Sequence, residues 1–85
     1  MQNKKKIFLV TGGDWFIGSH TVEILIKRGF KVRVLYSLIG GSLKNLDNVK
    51  NHKNLRLILK DIKKIKKNSK IFRNVFAIIH FAGSG

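Results

Sequence analysis

The feature that most constrains this chain is a change of hydrophobic period across a glycine turn. Residues 7–29 read IFLVTGGDWFIGSHTVEILIKRG. Lys6 to Thr11 is a short apolar run with β-branched and aromatic residues, bounded by glycine, and it predicts a fully buried strand. From Ile17 the period becomes helical. Val22, Leu25 and Ile26 fall at i, i+3 and i+4, while Glu23, Lys27 and Arg28 point elsewhere. Gly29 follows the basic pair Lys27-Arg28, as expected of a helix C-terminal cap. A strand that turns sharply into a helix presents unpaired backbone N–H groups and the positive end of the helix dipole, a setting that attracts phosphate. Gly12, Gly13 and Gly18 supply the tight turn and the close backbone approach that a pyrophosphate needs.

The remaining chain repeats the alternation. Lys31 to Tyr36 (KVRVLY) predicts a second strand, and SLIGGS breaks it with two glycines. Leu43, Leu46 and Val49 recur every three residues, which predicts a short, weak helix. Leu55 to Leu59 predicts a third strand. DIKKIKKNSKIF predicts a loop with a short helix, and Val75 to Gly83 a fourth strand ending in a glycine turn. Strands alternating with helical segments imply a parallel sheet with right-handed crossovers. The fold class is therefore α/β: a partial Rossmann-like doubly wound parallel sheet of about four strands in the order 3-2-1-4.

Composition narrows the function classes. At 85 residues the chain holds at most one small domain, and without cysteine it has no disulfide framework. Its 3 histidines (His20, His52, His80) are far apart and show no metal-ligand spacing. The formal charge is +14, from 18 Lys+Arg against 4 Asp+Glu. Such a field attracts polyanions, but Lys, Ile and Asn are over-used together along the whole chain, a compositional bias rather than a built basic face. The lysines from Lys63 to Lys70 read as a solvated surface, and nucleic-acid binding is not expected. No apolar run reaches the length of a signal-peptide core or a bilayer span. A cytoplasmic protein without membrane contact is expected.

Two further positions bear on a dinucleotide. In such units an acidic residue at the end of the second strand binds the adenosine ribose. Tyr36 stands there, and a phenol cannot act as a bidentate acceptor. Arg33 lies earlier on the strand, alternating with apolar residues, and is not read as a 2′-phosphate ligand. Asp61, just past the third strand, falls at the C-terminal edge of the sheet, where ligands bind in open α/β folds.

With these residues in view, the chain resembles the NAD-dependent epimerase/dehydratase family, the extended short-chain dehydrogenase/reductases, most of all its UDP-glucose 4-epimerase-like nucleotide-sugar epimerases. VTGG..FIGSHTVE.LIKRG..V.VL, GSLKNLDNV, LKDI and IIHFAG carry the likeness, in this order and spacing. The resemblance implies NAD as cofactor and a nucleotide sugar as the parent family's substrate, with homodimers among full-length relatives. It places Gly12, Gly13, Phe16, Ile17 and Gly18 around the pyrophosphate. It puts Tyr36 and Ser37 at the ribose, Asp61 and Ile62 near the adenine, and Phe81, Ala82 and Gly83 toward the nicotinamide.

The chain departs from the family pattern at three places. Trp15 replaces the middle glycine, and Asp14 brings a negative charge close to a dianionic pyrophosphate, which opposes binding. Tyr36 replaces the acid. The family's Tyr-x-x-x-Lys pair, in which the Tyr acts as acid/base and the Lys lowers its pKa, is absent: Tyr36 is the 1 tyrosine of the chain. The expected role is thus the N-terminal NAD-binding portion of a nucleotide-sugar epimerase/dehydratase, with no catalytic residue of its own and no catalytic competence alone. The alternatives are a stand-alone nucleotide-binding or regulatory module and a small basic nucleic-acid-binding protein.

Overall fold

The computed structural model describes residues 6–12, 16–36 and 43–81. Their main elements are β1 (Ile7–Thr11), α1 (Phe16–Lys27), β2 (Lys31–Tyr36), β3 (Leu55–Leu59) and β4 (Val75–His80). The strands form one sheet in the order β3-β2-β1-β4, and every neighbouring pair is parallel. This is the 3-2-1-4 arrangement that the alternation of periods predicts.

The first half follows from local sequence. Val22 and Ile26 of α1 are buried against Val10, Val32 and Val34 of the sheet, so the apolar stripe of the helix faces the strands. The helix stops where glycine permits a left-handed turn. Gly29 takes φ 89°; its N–H donates to the Ile26 carbonyl (3.0 Å), and the Phe30 N–H donates to the Leu25 carbonyl (3.1 Å). These two bonds form a Schellman cap, which satisfies carbonyls left over at the helix end. The cap also aims the chain at the sheet. Phe30 meets Phe8 edge-to-face at 5.0 Å, and the Lys31 N–H donates to the Lys6 carbonyl at the start of β2.

The described part of the β2–β3 crossover, residues 43–54, packs on the α1 face. Its helix is a 3₁₀ turn, Leu43–Leu46, rather than an α-helix. A 3₁₀ turn has three residues per turn, which suits apolar residues spaced by three. Leu46 and Val49 are buried in the same core as Val22 and Ile26.

The β3–β4 crossover returns over the opposite face. Val32 and Val34 point to α1, so Arg33 between them points away. Its Nη1 donates to the carbonyls of Ile71 (2.8 Å) and Arg73 (2.7 Å), which holds the crossover against that face. Leu9 and Leu35, on the same side as Arg33 by strand alternation, are buried. The predicted loop with a short helix is here two 3₁₀ turns, Ile62–Lys64 and Lys70–Phe72. Asn74 then takes φ 62°, a left-handed value that Asn tolerates better than most residues, and leads into β4. β4 itself ends at His80, three residues short of the predicted Gly83. Phe81 still donates its N–H to the Thr11 carbonyl (2.9 Å), and Ala82 and Gly83 lie outside the described residues.

Candidate functional site

Parallel pairing brings the ends of all four strands to one edge of the sheet. The register pairs Thr11 with Leu35 on one side and His80 on the other, and Tyr36 with Leu59. Backbone bonds carry this alignment one residue further. The Gly12 N–H donates to the Leu35 carbonyl (3.1 Å), the Lys60 N–H to the Tyr36 carbonyl (2.9 Å), and the Phe81 N–H to the Thr11 carbonyl. Lys60-Asp61, Tyr36, Gly12 and Phe81 therefore stand in a row across the edge. The row spans three strand spacings, about 14 Å. That matches the layout of a dinucleotide laid across the sheet, with one nucleotide on either side of the central strand.

At the centre of the row β1 turns toward the start of a helix, a setting that attracts phosphate in general. Gly12 has φ 74°, a left-handed conformation that lets β1 turn without a Cβ clash. α1 begins four residues later at Phe16, and its first turn carries no acidic residue. Gly18 and Ser19, on that turn, are buried, whereas Ile17 is 68% exposed at the mouth. The N-terminal N–H groups of a 12-residue helix thus start beside the end of the central strand.

The flanks differ in chemistry. On the β4 side, Thr11 Oγ1 and His80 Nδ1 are hydrogen-bonded across the strand pair. Neither was a sequence candidate. No local signal marks them, because only the register of β1 against β4 makes the two neighbours. On the β2 side, Tyr36 is half-buried and packs against the core. Asp61 is exposed, and its Oδ1 accepts from the Lys63 N–H (2.9 Å), which closes a turn at the start of the Ile62–Lys64 segment. Arg33 is committed to the opposite face, where it donates to the Ile71 and Arg73 carbonyls.

Of the predicted site residues, the fold brings Gly12, Phe16, Ile17, Gly18, Tyr36, Asp61, Ile62 and Phe81 to this edge by backbone position. Gly13, Ser37, Ala82 and Gly83 lie outside the described residues, as do Asp14 and Trp15. The described part of the turn, Gly12 and the start of α1, has the chemistry a pyrophosphate needs, and the end of β2 offers a phenol instead of a carboxylate.

Known proteins share this sequence and arrangement. The family described as GDP-mannose 4,6 dehydratase matches residues 9–85. The UDP-glucose 4-epimerase of Neisseria meningitidis serogroup B is 40% identical over 93% of this chain, which corresponds to 24% of the epimerase. The dTDP-glucose 4,6-dehydratase of Bacillus anthracis, solved in complex with NAD, superposes with a TM-score of 0.82 at 28% identity, covering 91% of this chain and 26% of the enzyme. The UDP-glucose 4-epimerase of Thermotoga maritima, solved with UDP-glucose, gives a TM-score of 0.74 at 32% identity, over 93% of this chain and 25% of that one. The chain spans about a quarter of the length of these relatives. Together with the turn, the sheet order and the edge geometry, the match over residues 9–85 shows that the chain belongs to the GDP-mannose 4,6 dehydratase family of NAD-dependent nucleotide-sugar epimerases and dehydratases, in their N-terminal region.

Proposed function

We propose that this chain is the N-terminal NAD-binding portion of a nucleotide-sugar epimerase/dehydratase of the UDP-glucose 4-epimerase type, and that it does not catalyse the reaction alone. The observation that carries this reading is the row of strand ends. A left-handed Gly12 and the start of α1 are at its centre, Tyr36 and Asp61 on one side and Phe81 on the other. Residues 1–85 would form part of the Rossmann domain. Gly12, Gly13, Phe16, Ile17 and Gly18 would hold the pyrophosphate. Tyr36 and Ser37 would meet the adenosine ribose, Asp61 and Ile62 the adenine, and Phe81, Ala82 and Gly83 the nicotinamide side.

NAD, when bound in such a site, supplies the hydride acceptor for oxidation of the sugar. This chain's part is to orient it: backbone N–H groups take the phosphates, and the strand ends fix the two nucleotides. A Tyr-x-x-x-Lys pair to exchange the substrate's proton does not occur in the sequence. That step, the grip on the nucleotide sugar and any homodimer contact belong to other parts of the parent enzyme. The expected setting is the cytoplasm.

Two measurements test the reading. Calorimetry of the 85-residue chain with NAD should give saturable heat in the high-micromolar to millimolar range; no heat at millimolar NAD refutes cofactor binding. An assay for UDP-galactose formed from UDP-glucose should show no turnover by the chain with NAD, and turnover would refute the assignment of catalysis to residues elsewhere.

A further inference from the structure

We infer that the adenosine end of this site accepts a dinucleotide bearing a 2′-phosphate at least as well as one without it. The inference rests on the cofactor reading above and concerns how the site selects within that class.

The end of the second strand is where a dinucleotide-binding unit meets the adenosine ribose. A carboxylate there does two things. It accepts hydrogen bonds from the ribose hydroxyls, and its charge repels a 2′-phosphate. Here β2 ends in Tyr36. Tyr36 is held in place, paired in register with Leu59 and packed against the cluster that includes Val10, Val22 and Leu46. Its phenol offers one O–H and no carboxylate charge. Both the double acceptor and the repulsion are lost.

The neighbouring charges favour phosphate. Lys60 follows β3 directly, is exposed, and is tied to Tyr36 by its backbone N–H at 2.9 Å. Lys63 and Lys64 are exposed on the next turn. Asp61 is the one carboxylate among residues 60–64, set against three lysines, and its Oδ1 already accepts from the Lys63 N–H. The other described carboxylates are elsewhere: Asp47 pairs with Lys50 at 3.3 Å, and Glu23 is within α1. A phosphate ester at the ribose of this site therefore approaches a cationic edge.

The test compares NAD and NADP on the 85-residue chain at low salt, by calorimetry and by the emission of its single tryptophan, Trp15 in the glycine turn. NADP should bind with a Kd equal to or below that of NAD, and its advantage should shrink as salt screens the lysines. NAD binding about tenfold tighter than NADP, a difference of about 1.4 kcal/mol, overturns the inference and leaves the cofactor reading intact. Failure of both to bind at millimolar concentration overturns both. Lys60→Glu changes an exposed side chain and avoids the core. It should weaken NADP about tenfold and NAD clearly less, since the new charge stands next to the 2′-phosphate and reaches the pyrophosphate only across the strands. Equal weakening of the two would overturn the role given to this edge.

Discussion

Arg33 offers the sharpest test of how the two faces of the sheet are held. Its Nη1 donates to two carbonyls at the end of the β3–β4 crossover, Ile71 at 2.8 Å and Arg73 at 2.7 Å. Arg33→Met keeps the apolar stem and removes both donors. The bond to Ile71 is partly buried, and a hydrogen bond from a charged donor in that setting contributes about 1.5 kcal/mol at the low end of its range. The Arg73 carbonyl is exposed and regains water, so its loss adds roughly 0.5 kcal/mol. The expected destabilisation is about 2 kcal/mol. A chain of 85 residues has an unfolding entropy of about 0.18 kcal/mol/K, so the melting temperature should fall by roughly 10 °C.

Circular dichroism reads the melt, and hydrogen exchange reads the location. The amides of Phe72 and Arg73, bonded to the Ser69 and Lys70 carbonyls, should lose protection before those of α1. Arg33→Lys should recover at most half of the loss, because the guanidinium fixes its two Nη1 N–H groups in a plane, whereas the three N–H groups of an ammonium rotate on a flexible stem. A shift under about 2 °C, with exchange in the crossover unchanged, would refute the idea that Arg33 pins this segment.

Three other substitutions probe the edge and the core. Gly12→Val forces a β-branched side chain into φ 74° and should cost about 1–2 kcal/mol in urea unfolding; a change below about 0.5 kcal/mol would show that the turn relaxes freely. Ile78 is 55% exposed on β4, an edge strand of the described sheet, so Ile78→Lys should reduce self-association in light scattering at a stability cost of no more than about 1 kcal/mol. In a full-length relative carrying this glycine turn, Trp15→Gly with Asp14→Ala should tighten NAD binding at least about tenfold, or 1.4 kcal/mol, by removing bulk and like charge from the phosphate path; unchanged affinity would show that both residues are tolerated there.

What was legible in the sequence follows from how far each interaction reaches. β1, α1 and the Gly29 cap are written in neighbouring residues: an apolar run, a helical stripe, a glycine after two cations. The strand order also follows, because crossover handedness leaves few ways to arrange alternating strands and helical segments. The crossovers themselves were less legible. Leucine spacing indicated a helix near Leu46, but a three-residue spacing is equally a 3₁₀ period, and tertiary burial decided between them. The end of β4 was placed too late because Phe81 and Ala82 continue the apolar pattern after the ladder has stopped.

Pairings across long separations were the least accessible. Arg33 reaches carbonyls 38 and 40 residues away, and Thr11 meets His80 across 69. No local pattern marks them; only the register does. The same limit bears on Tyr36. Read locally it is a missing acid, a loss of function at the ribose. Placed in the sheet, it is anchored in the core and has Lys60 bonded to its carbonyl, with two further lysines on the turn that follows. The phenol brings no negative charge to this edge, so the lysines set its sign, and that is legible only once β3 is set beside β2.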